Sequence, residues 1–186
     1  MIKITIICAF ITLIASCASS LEYMSVPLQT SDWKVGFQTK PKSFGDASYI
    51  REFIPKDDGI KNWSKIITIQ YIDNKGNVPP KEFAAALISD IKKACPDTQW
   101  NVIEENKRSI IYEWYTKECS APSHESDPNI FTPQHEIAKV MFGNTGIHKA
   151  SYNEKTKDLN SKTRNEWIKK LKNTHLEKNG NVIKLL

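Results

Sequence analysis

Regular alternation of large apolar and polar side chains begins at Trp33. The stretch WKVGFQ (33–38) has the period of a half-buried strand, and KPKSFGD after it supplies turn residues. ASYIREFIP (47–55) is rich in aromatic and β-branched residues and ends at a proline, and KDDGIKN makes a second turn. WSKIITIQYI (63–72) is the strongest strand pattern, with Ile67, Ile69 and Tyr71 on one face and Ile66 and Thr68 on the other. Three adjoining strands with short connections predict an antiparallel meander.

The period changes at Pro79-Pro80. In PKEFAAALISDIKKAC, Phe83, Leu87 and Ile91 recur at steps of four beside Ala84, Ile88 and Ala94, which predicts a helix with one apolar stripe. Proline suits its first turn, and Lys92 and Lys93 suit its last. QWNVIEEN (99–106) and RSIIYEWYTKEC (108–119) read as a hairpin turning near Asn106-Lys107, and HEIAKVMFGN with TGIHKASYNE as another about Gly143 to Gly146. A closing helix opens at the capping residues Asn160 or Ser161, places Trp167, Ile168, Leu171 and His175 on one arc, and ends before Asn179-Gly180. The expected class is α+β, with an antiparallel sheet of about six to seven strands flanked by two helices.

Upstream of this domain lies a different pattern. Residues 1–16, MIKITIICAFITLIAS, hold one early lysine, then an apolar run too short for a permanent span, then small residues; this is the makeup of a secretory signal peptide. Residues 17–31 read as a polar tether, 32–180 as one domain and 181–186 as a tail.

Four cysteines follow from that division. Cys8 leaves with the signal peptide. Cys95 and Cys119 sit in the mature chain, where an oxidising compartment favours pairing; a bridge would close a loop of about 25 residues and stabilise by roughly 3 kcal/mol. No CxxC or nearby His supports a reactive thiol instead.

Cys17 stands in Ile14-Ala15-Ser16-Cys17, which resembles the lipobox of bacterial lipoproteins. The resemblance implies that Cys17 is diacylated and becomes the first residue of the mature chain, two acyl chains supplying the two signals that stable anchoring needs. An ordinary secretory peptide cut nearby is the alternative. Ala18 follows where an aspartate would signal inner-membrane retention, so in a Gram-negative cell the periplasmic face of the outer membrane is the expected site.

Catalytic motifs are missing from the sequence. His124, His135, His148 and His175 form no HxH, HExxH or CxxC…H spacing and read as surface residues, so no metal or other cofactor is expected. Asp57-Asp58, Glu104-Glu105 and Glu136 read as solvated carboxylates, since neighbours in a turn or strand do not converge on a cleft. GxSxG, SxxK with KTG, and phosphate-binding glycine loops do not occur. Tyr112 and Trp114 share one strand face; left exposed they would bind sugar or peptide, and under a helix they would be core.

FIP followed by NWSKIITIQ, a helix ending in KKACP, a strand pair closed by a second Cys, and a last helix carrying Trp167 together resemble a set of uncharacterised bacterial secreted proteins. That family is similar in layout to the PsbP/Mog-type α/β/α sandwich. The likeness implies an antiparallel sheet between helices and an accessory or binding role, by analogy of fold alone.

Charge narrows the partners. The whole chain is +5, yet residues 139–186 carry eleven Lys or Arg against four Asp or Glu. Lys162, Lys169 and Lys172 on the last helix would meet an envelope protein or an anionic glycan or lipid, or simply face solvent; the compartment argues against nucleic acid. The sequence leaves the oligomeric state open. The expectation is a lipid-anchored, non-enzymatic envelope binding or accessory protein. Its rivals are an envelope-polymer hydrolase lacking a known motif and a secreted, host-directed factor.

Overall fold

The computed structural model describes residues 22–28, 30–39, 49–73, 78–117 and 133–178. Cys17, Cys119, His124, the 1–16 segment and the 181–186 tail lie outside them. The strands are β1 (Glu22–Ser25), β2 (Trp33–Gln38), β3 (Tyr49–Pro55), β4 (Lys65–Asp73), β5 (Gln99–Asn106), β6 (Ser109–Thr116), β7 (Gln134–Phe142), β8 (Gly146–Glu154) and β9 (His175–Lys178). The helices are α1 (Pro80–Ala94) and α2 (Ser161–Asn173).

Seven strands form one antiparallel sheet in the order β2-β3-β4-β8-β7-β6-β5, and β1 pairs with β9 in a separate two-stranded ribbon. The α+β class expected from the sequence is what the chain adopts. The meander β2-β3-β4 and the hairpins β5-β6 and β7-β8 stand where the alternation put them. The pairing of β4 with β8 across nine residues joins meander to hairpins. Gly36 lies within the irregular register between Val35 and Phe37, where a Cβ would stand 3.0 Å from the Ile60 side chain and 3.1 Å from Ile54.

Strand parity divides the core in two. Ile110, Tyr112, Ala138, Val140 and Ile147 point to one face and are covered by Ala84 and Ile88 of α1. Ile67, Ile69, Ile111, Ile137 and Tyr152 point to the other, where Trp167 and Leu171 of α2 pack with Met24 of β1. The Trp167 ring stacks on Tyr152 at 4.4 Å and 13°. Burying such side chains contributes about 1.5–3 kcal/mol each, which is why each helix follows its apolar stripe.

Three expectations need correction. The stretch read as tether contains β1, whose Glu22 and Met24 are buried; the folded unit therefore begins ahead of Trp33. Pairing with β9, the most C-terminal strand, is what makes so short a strand form. The last helix stops at Asn173, and His175 opens β9 as an exposed residue instead of sharing the helix arc with Trp167. Lys139 of β7 ends that helix: its buried ammonium donates to the Thr174 carbonyl at 2.7 Å and to the Lys172 carbonyl at 3.4 Å, a cation at a helix C-terminus. Finally, His135 and His148 are buried, not surface, residues.

Candidate functional site: polar clusters and the N-terminal strand

Beyond the Lys139 contact at the end of α2, the buried carboxylates and histidines among the described residues fall in three groups. The first lies under α2. Glu113 on β6 accepts from Arg164 Nε and Nη2, both at 2.7 Å, and from Asn101 Nδ2 at 3.1 Å. His135 Nε2 lies 3.4 Å from its second oxygen. Burial pushes the Glu113 carboxyl up, but the hydrogen bonds from His135, Arg164 and Asn101, with the Arg164 charge, outweigh it and hold the group well below the usual carboxylate range. The Leu159 backbone N–H donates to His135 Nδ1 at 3.4 Å, which assigns the ring hydrogen to Nε2. Both ring nitrogens thus face partners inside the fold.

The second group faces the α1 side. Glu136, expected as a solvated carboxylate, is buried: its Oε1 accepts from Trp114 Nε1 at 3.1 Å and pairs with Lys149 Nζ at 3.0 Å. Glu52 projects from the same face, and burial raises its carboxyl against the nearby Lys149 charge. Beside them Asn153 donates to Gln134 Oε1 at 3.0 Å.

The third group sits at one end of the sheet. His148 is 0% exposed, and neither ring nitrogen has a hydrogen-bond partner. Burial lowers it from 6.5 to about 4, with the Glu22 charge opposing. Its ring lies 5.0 Å from Tyr71, which stacks on Tyr49 at 5.9 Å. Glu22 Oε2 accepts the Asn144 N–H in the β7-β8 turn. A Cβ on Gly143 would stand 2.5 Å from Glu22 Oε2 and 2.9 Å from His148 Nε2, so only glycine admits both side chains there.

The expected binding residues do not form one surface. Tyr112 and Trp114 are 1% and 6% exposed because α1 lies over them, so they belong to the core and not to a sugar or peptide platform. Lys162, Lys169 and Lys172 are exposed on α2, with Lys172 Nζ bound to Glu104 at 2.9 Å. Glu104 and Glu105 are exposed residues of β5, and Glu105 pairs with Lys81 at 3.0 Å. Cys95 caps α1, its N–H bonding the Ile91 carbonyl at 2.7 Å.

What the sequence analysis missed was the buried charge. Arg164 falls on the same helical arc as Trp167 and Leu171, and Glu113 in phase with Ile111; a charge of each sign on an apolar stripe was the available signal.

Among the described residues no three His, Cys, Asp or Glu side chains gather as a metal site, and no helix is long and apolar enough to cross a membrane. A family model matches residues 36–184, from within β2 past the end of β9. β1 and residues 14–17 precede the matched span. No curated protein and no solved structure matches the chain.

Proposed function

The chain belongs to that uncharacterised bacterial family, and from this premise we propose that it is a lipid-anchored cell-envelope protein, held through Cys17, that serves as a non-enzymatic binding or accessory module. The observation that carries the reading is the place of β1. Only residues 18–21 separate Cys17 from Glu22, and Glu22 is already fixed to the end of the sheet through Asn144. A lipid on Cys17 would therefore hold the domain itself at the membrane, not a chain trailing from it.

The state of the polar clusters supports a binding role over a chemical one. Both oxygens of Glu113 and one of Glu136 are bound to partners inside the fold, fixing α2 and the Trp114 ring. General acid–base work asks for titratable groups that meet a substrate in a cleft.

The domain is similar in layout to the PsbP/Mog-type sandwich, with α1 and α2 on opposite faces of the sheet. In a Gram-negative cell its place is the periplasmic face of the outer membrane. A Cys95–Cys119 bridge belongs to the same proposal. It is supported by Asp97, two residues after Cys95, which accepts from Thr116 Oγ1 at 2.6 Å and from the Lys117 N–H at 3.0 Å. Those bonds hold Thr116 and Lys117 beside the turn that follows Cys95.

The experiment is capture of the full-length protein from crosslinked native envelopes, with Cys17→Ser alongside. Defined envelope proteins enriched with the wild type and lost with the variant are expected. Equal recovery of partners with both would overturn the role of the anchor, and turnover of an envelope polymer by the purified protein would overturn the non-enzymatic reading.

A further inference from the structure

We propose that the end of the sheet bearing the Lys107–Arg108 turn lies against anionic lipid headgroups of the membrane that holds Cys17. The inference rests on the anchored reading above and deepens it by naming the surface that meets the lipid.

Three features meet at this end. Glu22, the first residue of β1, binds the Asn144 N–H and abuts Gly143. The β5-β6 turn reaches the same place, since Phe142 N–H donates to the Arg108 carbonyl at 2.8 Å and Arg108 Nη2 donates to the Phe142 carbonyl at 3.2 Å. The chain entering from Cys17 thus arrives beside a turn whose Lys107 and Arg108 are both exposed.

Reach decides which parts of the domain can touch the bilayer. Five residue steps from Cys17 to Glu22 span at most about 18 Å. The eight residues of β6 run roughly 27 Å from this end to the other. The far end, where Thr116, Gln134 and Glu154 lie, therefore stands away from the headgroups when the near end meets them. Lys162, at the start of α2, lies about 15 Å from Lys172 along the helix axis and toward that far end.

Charge favours the same contact. Glu104 and Glu105 are offset by Lys172 at 2.9 Å and Lys81 at 3.0 Å, and Asp73 at the end of β4 adds one carboxylate. Glu22 also lies at this end but is buried and bound to Asn144, whereas Lys107 and Arg108 are exposed on the turn; the outward charge of the turn is therefore cationic, and basic residues within a Debye length of an anionic leaflet are drawn to it.

The test is lysine acylation footprinting of the intact lipidated protein reconstituted in vesicles of phosphatidylcholine alone or with phosphatidylglycerol. Lys107 should react at least threefold more slowly on the anionic vesicles, while Lys162 and Lys92 at the far end keep their rates. The double variant Lys107→Glu with Arg108→Glu should remove the difference between the two vesicle types as seen at Lys81. Equal Lys107 rates on both vesicles, or slowing of Lys162 in step with it, would overturn the surface. The intact mass of the same sample reads Cys17 separately. Acylated Cys17 with unprotected Lys107 sinks the surface alone; unmodified Cys17 with Lys107 protected on added anionic vesicles sinks the anchor alone.

Discussion

The carboxylate of Glu22 accepts the backbone N–H of Asn144, and this bond joins the first strand of the chain to a turn 122 residues away. It ties β1 to one end of the main sheet, since the β1-β9 ribbon is not hydrogen-bonded into that sheet.

Glu22→Ala should lower stability by roughly 0.5–1.5 kcal/mol, the net contribution of one hydrogen bond. Gly143→Ala should act the same way, because its methyl would displace both Glu22 and His148. Hydrogen exchange of the β1 and β9 amides should speed up in both variants before that of β4 and β8 does. Uniform acceleration across the sheet would show that the bond is not a local tie.

His148 sets an acid-side loss of stability. Burial favours its neutral ring, so the unfolded chain takes up a proton first as pH falls below 6.5, and stability declines until the native group titrates near pH 4. Integrated over that window the loss is about 3 kcal/mol. Glu22 from β1 and Tyr71 from β4 face the ring, and Glu22 opposes the shift. His148→Phe should flatten urea-unfolding stability between pH 6.5 and 4; a slope equal to wild type would contradict the assignment. Glu113, held low, contributes stability present above the ordinary value of 4.5 that is lost only as pH falls further.

Arg164 docks α2. Its bidentate bond to Glu113 is nearly buried on the carboxylate side, so Arg164→Ala leaves an uncompensated carboxylate and should cost about 3 kcal/mol. Adding Glu113→Gln to that variant should recover part of the loss, as measured by a double-mutant cycle in urea. Additive losses would mean the two side chains do not act as a pair.

The proposed Cys95–Cys119 bridge predicts one linked peptide pair in a non-reducing digest. It also predicts that Cys119→Ser lowers stability by roughly 3 kcal/mol. Two alkylatable thiols in the native protein would refute it.

Strands and helices of the main sheet were legible because their side-chain periods are local: Ile67, Ile69 and Tyr71 declare a face by themselves. β1 was not, because EYMS has too few residues to show a period and forms only with β9, whose His175 pairs with Ser25. Parity put Tyr112 and Trp114 on one face, but a strand does not say what covers it, and α1 does. Buried ions were the hardest to read. Glu113, Glu136 and His148 fall in phase with apolar neighbours; partners on other elements make burial of the two carboxylates tolerable, whereas His148 is buried without a hydrogen-bond partner, which favours its neutral ring.

The most direct test of the account is the intact mass and N-terminal peptide of the mature protein taken from its native membrane. The account predicts a chain that begins at Cys17 and carries a diacylglyceryl group on that residue. A chain beginning elsewhere, or one with Cys17 unmodified, would contradict it.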